Sequence, residues 1–230
     1  MTALRAIDLG RMEYGAALAL QRALRERRIA GEAPDTLLMV EHPPVVTLGR
    51  RAAKADLLLS RELLQAQGVA VFDVERGGRA TYHGPGQIVA YPIISLRERG
   101  LSVPRYVAAL EEAVIAYLAT LGLEAARRAG YPGVWVRGRK IAAIGVHLRQ
   151  WVSMHGVALN VSTDLAQYAA IVPCGITDAE VTSVAAEMGA AELGHAPPLT
   201  EAGVGVAAAL AASLGYDGVA WESAAAVTGR

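Results

Sequence analysis

Cysteine, lysine and phenylalanine are nearly missing from this chain of 230 residues. It has one cysteine, one phenylalanine and two lysines, Lys54 and Lys140. A lone Cys174 excludes an intrachain disulfide and any multi-cysteine metal site. Charge of one sign is also missing: 22 basic residues balance 22 acidic ones, so no long-range field draws the chain onto nucleic acid. No uninterrupted apolar run approaches the roughly 18 residues needed to cross a bilayer. The start, Met1–Gly10, carries Arg5 and Asp8 and lacks the apolar core of a secretion signal. These absences predict a soluble, cytoplasmic protein with neither a nucleic acid nor a membrane as partner. Apolar residues at 53% and charged residues at 19% suit a globular chain with one core. A single domain over residues 1–230 is expected, with a peripheral tail after about residue 216.

The shortage of lysine gives the first functional lead. Twenty arginines stand against two lysines, yet Lys140, beside Arg137 and Arg139, has not become arginine. Arginine keeps its proton near neutral pH, whereas lysine can release one in a suitable environment. A retained lysine in such a chain is a candidate proton carrier.

Hydrophobic periodicity lays out the elements. A helix is expected from about Met12 to Ile29, then strands Thr36–Val40 and Val45–Leu48 split by Pro43-Pro44. A short helix near Arg61–Gln67 and a strand Val69–Val74 come next. Arg76–Gln87, with four glycines and a proline, reads as a shaped loop before a strand Ile88–Leu96. Ser102 and Pro104 begin a second long helix that Gly122 closes. Three strands follow, Gly133–Val136, Ile141–Leu148 and Val152–Asn160, the first two joined by a tight Arg137-Gly138-Arg139 turn. Helices near Asp178–Met188 and Thr200–Leu214 finish the chain. Strands and helices do not alternate regularly, so the expected class is α+β, with a mixed, mostly antiparallel sheet flanked by helices.

Three segments carry candidate chemistry. In Arg76-Gly77-Gly78-Arg79-Ala80-Thr81-Tyr82-His83-Gly84-Pro85-Gly86-Gln87, the glycines let a ligand approach the backbone, and Thr81, Tyr82, His83 and Gln87 can offer polar groups. It is neither a Walker A loop nor a dinucleotide fingerprint. In Ile171–Glu180, Pro173 and Gly175 hold Cys174 on a loop. Thr177 and Glu180 have capping-box spacing, so a helix is expected directly after the cysteine, where its N-terminus would favour a thiolate. In the third segment, Lys140–Gly145 with Met154–Asn160, small residues at Ala143, Gly145, Gly156 and Ala158 leave room along adjoining strands. That room reads equally as an acyl tunnel or as close strand packing.

These segments, with Glu41–Arg50, resemble the lipoyl/octanoyl transferase family, and the resemblance covers nearly the whole chain. Tyr168 stands where an aromatic, often Phe, precedes the cysteine segment, and Val157 where Phe or Leu is frequent. The resemblance implies a fold like the catalytic domain of biotin and lipoate protein ligases. It also implies transfer of an octanoyl group from octanoyl-acyl carrier protein to a lysine of lipoyl domains. Acceptors would be those of the 2-oxoacid dehydrogenase complexes and the glycine cleavage H protein. Cys174 would be the acyl-thioester nucleophile, and Lys140 would lower its pKa and act as general acid and base. Arg76, Gly77, Gly78, Arg79, Ala80, Thr81, Tyr82 and His83 would line the substrate pocket, with Ala143, Ile144, Gly145, Gly156, Val157 and Ala158. Neither ATP nor a metal would be required. His83 and His155 are rival bases. The rival activities are an ATP-dependent lipoate or biotin ligase, and a non-catalytic relative that binds lipoyl domains. Arg22, Arg25 and Arg28, at three-residue spacing on the first helix, are a candidate docking face for an acidic carrier; a solvated face paired with Glu26 is the alternative.

Overall fold

A computed structural model describes residues 2–172 and 180–228. In chain order its elements are β1 (Ala3–Arg11), α1 (Tyr14–Ile29), β2 (Thr36–Glu41), β3 (Val45–Leu48), α2 (Arg61–Ala66), β4 (Ala70–Asp73), β5 (Ala80–His83) and β6 (Gln87–Ile93). After these come α3 (Val103–Thr120), β7 (Ala126–Arg128), β8 (Tyr131–Val136), β9 (Arg139–Arg149) and β10 (Val152–Asn160). The chain closes with α4 (Val184–Ala190), α5 (Leu199–Ser213), β11 (Gly218–Glu222) and α6 (Ala225–Thr228). Among the described residues the strands form an eight-stranded sheet, in order β11-β1-β2-β6-β10-β9-β8-β7, and a three-stranded sheet, β4-β3-β5. In the large sheet β1 is parallel to both β11 and β2, and the other neighbours are antiparallel. It is the mixed, mostly antiparallel sheet that the patterning predicts.

Both faces of the large sheet are covered, which is why its central strands are apolar throughout. On one face α3 and α5 pack over Leu37, Ala90, Val134, Ile141 and Val157. On the other, α1 lays Ala17 and Leu24 against a cluster containing Val89, Tyr91 and Ala158. α3 has the predicted signals: the Ser102 hydroxyl accepts the Arg105 amide, a proline lies in the first turn, and Gly122 takes a left-handed φ of +75° just past the end. The β8–β9 turn has positive φ at Arg137 and Gly138, 50° and 79°, the geometry of a two-residue type I′ hairpin.

Three elements depart from the sequence expectation. β5 occupies the middle of the supposed loop, pairing with β3 from Val45↔His83 to Leu48↔Ala80. β1, absent from the sequence reading, lies between β2 and β11. Residues 218–222 of the supposed tail pair with it from Ala3↔Gly218 to Ile7↔Glu222, at the sheet's outer edge. The last departure concerns the described part of the helix expected near Asp178–Met188. Thr177 lies outside the described residues, and Glu180–Thr182 run alongside β9. The Lys140 amide donates to the Glu180 carbonyl at 2.9 Å, and the Lys140 carbonyl accepts the Thr182 amide at 2.9 Å. α4 begins only at Val184, capped by Ser183. Two main-chain bonds to β9 hold residues 180–182 alongside that strand, and the stretch directly behind the cysteine lies outside the described residues.

No described helix is long and apolar enough to cross a membrane.

Candidate active site

A slot lies where the small sheet and the 76–79 loop meet the α1 face of the large sheet. Arg76, Gly78, Arg79, Thr81 and His83 line one side, and Ala143, Ile144, Gly145, Gly156, Val157 and Ala158 the other. Tyr14 of α1, Val89 and Tyr91 of β6, and His155 complete it. Most of the predicted pocket therefore converges on one place. Gly77 instead lines an adjoining open groove.

Strand alternation explains the residues that do not face the slot. In β5, Thr81 and His83 point inward, while Ala80 and Tyr82 join an apolar cluster with Val46, Leu64 and Tyr168. Burial in that cluster pushes the Tyr82 hydroxyl up to about 12, leaving a neutral packing residue. Val157 borders the slot and also belongs to the core beneath α3 and α5.

The two readings of the small residues, tunnel and close packing, divide between positions. Ala143 and Ala158 are register partners and leave the slot open. Gly156 is small for a packing reason: a Cβ there would lie 2.2 Å from the Ala90 carbonyl oxygen. We expect Gly156→Ala to destabilise the protein by roughly 1–3 kcal/mol, because the obstacle is main chain and cannot rotate away. A urea midpoint equal to wild type would contradict this.

Arg76 and Arg79 have structural partners of their own. The Arg76 guanidinium, 7% exposed, donates to the Thr47 carbonyl and hydroxyl at 2.6 and 2.8 Å and to the Gly77 carbonyl. Arg79 makes a two-pronged pair with Asp56 at 2.6 and 2.9 Å. Asp56, 1% exposed, also accepts the Ala53 amide on its carboxylate and the Val172 amide on its main chain. Nothing in the sequence points to Asp56, since its role arises only when the loop folds onto it.

Lys140 sits next to the slot and not within it. It borders the open groove with Arg51, Arg79 and Gly145, and also a small cavity with Thr81, Ala143, Asn160, Tyr168 and Val181. The slot shares Gly78, Arg79, Ile144 and Gly145 with the groove, and Thr81 and Ala143 with the small cavity. The lysine is 6% exposed, with Nζ 5.5 Å from the centre of the Trp135 ring. Gly133 makes its position possible, because a Cβ there would fall 2.5 Å from the lysine Cε. Cys174 lies outside the described residues. Its described flanks are tied to this same region, Val172 to Asp56 and Glu180 to Lys140.

A buried polar chain braces the far wall. His83 Nδ1 meets the Gln87 Oε1 at 2.7 Å, and the Gln87 amide donates to the Asn160 Oδ1 at 2.8 Å and to the Tyr168 hydroxyl at 3.1 Å. The Asn160 amide donates to the Thr182 carbonyl. Gln87 supplies the acceptor, so neutral His83 carries its proton on Nδ1. Burial, with His42 nearby, pushes the His83 imidazole down to about 3, and burial also lowers His155. Such weakly basic rings are poorly suited to taking a proton from an amine. His155 is held at a φ of +58° with its amide donating to the Gln21 Oε1.

These histidines predict a pH dependence of stability. His42, His83 and His155 stay unprotonated in the fold, with His42 pushed down to about 4 by burial. Each would take a proton below about pH 6.5 once unfolded. As pH falls the unfolded chain binds more protons, so stability is lost from about pH 6.5 downward, levelling off near each folded value. Each histidine contributes up to about 1.4 kcal/mol per pH unit. Urea midpoints should fall steadily between about pH 7 and about pH 5. A flat profile would mean that the rings are protonated in the native state.

The arginines of α1 do not form a free docking face. Arg22 pairs with Glu75 at 2.9 Å, and Arg28 with Asp35 at 2.7 Å and Glu98 at 2.5 Å. Arg25, 7% exposed, bonds Glu26 and the Met154 sulfur. The helix packs over the slot, so residues at three-residue spacing turn progressively inward against β10 and the loops beside it.

A mostly apolar slot lined in part by small strand residues thus adjoins a groove that a buried lysine borders. Residues 13–199 match the family described as the lipoyl protein ligase A/B catalytic domain, and the chain belongs to that family. An octanoyltransferase of Solibacter usitatus is 52% identical over 179 residues, covering 78% of this chain and 81% of that protein. An octanoyltransferase of Chloroflexus aggregans is 48% identical over 217 residues, covering 93% and 94%. Among solved structures, the bi-partite lipoate protein ligase of Thermoplasma acidophilum superposes with a TM-score of 0.73 at 17% identity, over 97% of this chain and 88% of that one. The biotin protein ligase of Aquifex aeolicus gives 0.51 at 14% identity, over 91% and 68%. The fold is thus the one lipoate and biotin ligases share.

Proposed function

We propose that this chain transfers an octanoyl group from octanoyl-acyl carrier protein to a lysine of a lipoyl domain, through a thioester on Cys174. The observation that carries the reading is the junction of slot, groove and Lys140, with both described flanks of the cysteine segment bonded beside it. Relatives about half identical over most of the chain are named octanoyltransferases, which supports octanoyl transfer.

In the first half-reaction the Cys174 thiolate attacks the donor's thioester carbonyl. A new C–S bond forms, the carrier's C–S bond breaks, and the departing thiolate takes a proton from Lys140. In the second, the lipoyl-domain amine attacks the acyl-enzyme. The C–N bond forms, Cys174 leaves as thiolate, and the amine's proton passes to Lys140, restoring the start. Exchange of one thioester for another is nearly balanced, and amide formation drives the sequence forward, so neither nucleotide nor metal is needed. The low basicity of buried His83 and His155 favours Lys140 as the proton carrier. The acceptors are the lipoyl domains of 2-oxoacid dehydrogenase complexes and the glycine cleavage H protein, and the compartment is the cytoplasm.

The test uses the whole protein with octanoyl-carrier and a lipoyl domain, without nucleotide or magnesium. The lipoyl domain should gain one octanoyl group by intact mass. Transfer that starts only when ATP and magnesium are added would favour a ligase.

A further inference from the structure

We propose that the exposed turn after β3, carrying Arg50, Arg51 and Lys54, is the surface on which the acidic carrier protein docks while its acyl arm enters the groove. The inference rests on the reading above, in which the donor is a carrier-bound thioester.

Three amides fix this turn to the mouth of the site. Gly49 donates to the Arg79 carbonyl at 3.1 Å, Arg50 to the Arg76 carbonyl at 3.0 Å and Arg51 to the Gly78 carbonyl at 3.1 Å. The turn therefore moves with the 76–79 loop that roofs the slot. Arg51 lines the open groove of about 520 Å³ together with Arg79 and Lys140, and among the described residues no carboxylate lines it. Gly78, Ile144 and Gly145 of the groove also line the slot.

The turn concentrates three cations in a chain of zero net charge. Arg50, Arg51 and Lys54 are exposed, and none of the three forms an ion pair among the described residues. Many other exposed or half-buried cations are matched, among them Arg5 with Glu222, Arg22 with Glu75, Arg61 with Asp73, Arg139 with Glu187 and Arg149 with Glu26. What sets the turn apart is three cations together beside the groove. The neighbouring Asp56 is buried and already held by Arg79. Unmatched cations at the entrance of a site, in a chain of zero net charge, fit a partner that brings its own carboxylates and the phosphodiester of its arm. Such contacts act mainly by steering encounter, so they are salt-dependent and appear in kcat/KM.

The experiment compares two donors with one lipoyl-domain acceptor: octanoyl-carrier protein, and octanoyl-N-acetylcysteamine, which has neither carrier nor phosphate. Arg50→Glu combined with Lys54→Glu should lower kcat/KM for the carrier donor about tenfold or more and flatten its fall with added salt. The small donor should be used as by wild type, and Arg50→Lys with Lys54→Arg should keep the wild-type rate on both. Equal loss on both donors, no loss on either, or a raised KM for the lipoyl domain instead would overturn the docking surface. Wild-type protein that transfers from neither donor would instead sink the underlying octanoyl-transfer reading.

Discussion

Cys174→Ala is expected to fold normally, form no octanoyl adduct and lose transfer by at least about a thousandfold. Wild-type protein given octanoyl-carrier and no acceptor should gain a single octanoyl group by intact mass. Because the chain holds one cysteine, a hydroxylamine-labile adduct has one address. Adding a lipoyl domain should discharge it without ATP. The size of the loss follows from covalent catalysis: without the sulfur, a lipoyl-domain amine must attack the carrier thioester directly, and the two-step path disappears. An alanine variant that transfers at the wild-type rate would overturn the acyl-enzyme, as would a wild-type enzyme that is acylated elsewhere.

Lys140→Arg is expected to keep the positive charge and lose about a hundredfold or more in turnover, the usual worth of a positioned acid and base. Arginine can still favour a thiolate, but it does not cycle a proton near neutral pH. Acylation should therefore suffer less than transfer to the amine, which a rapid-mixing burst resolves from the steady state. The site is tight, with Gly133 against the lysine stem and Trp135 beside Nζ. Thermal unfolding should accompany the kinetics, and Lys140→Met supplies a variant that fits the same space without charge. A variant whose uncharged form acylates as fast as wild type would show that Lys140 does not support the thiolate. Wild-type turnover by Lys140→Arg would leave the lysine a charge only, despite the low basicity of His83 and His155.

Much of this site is legible from local pattern. The glycine-rich 76–87 segment, the retained Lys140 and the small residues at 143, 145, 156 and 158 all announce themselves within a few positions. What escapes is what arrives from far along the chain. Tyr14 reads only as an apolar helix position, and Tyr91 as one more residue of a buried strand, yet both wall the slot. Asp56 reads as an ordinary surface acid and becomes a buried tie between Arg79 and Val172. Periodicity puts a residue on an element and a face, but does not say which distant element that face will meet.

The sequence by itself determined the class of fold, most element boundaries, the family and the small set of residues able to do acyl chemistry. Each depends on spacing along a few residues or on the chemistry of one side chain. The tertiary structure alone decided which of those residues share a wall. Alternation in β5 turned Thr81 and His83 inward and Ala80 and Tyr82 away. The packing of α1 over the sheet consumed Arg22, Arg25 and Arg28 in pairs within the chain, and the β9 hydrogen bonds held residues 180 and 182 beside Lys140 where a capping box had suggested a helix. In each case a long-range pairing, worth several main-chain or charged contacts at once, outweighed a local preference of about 1 kcal/mol.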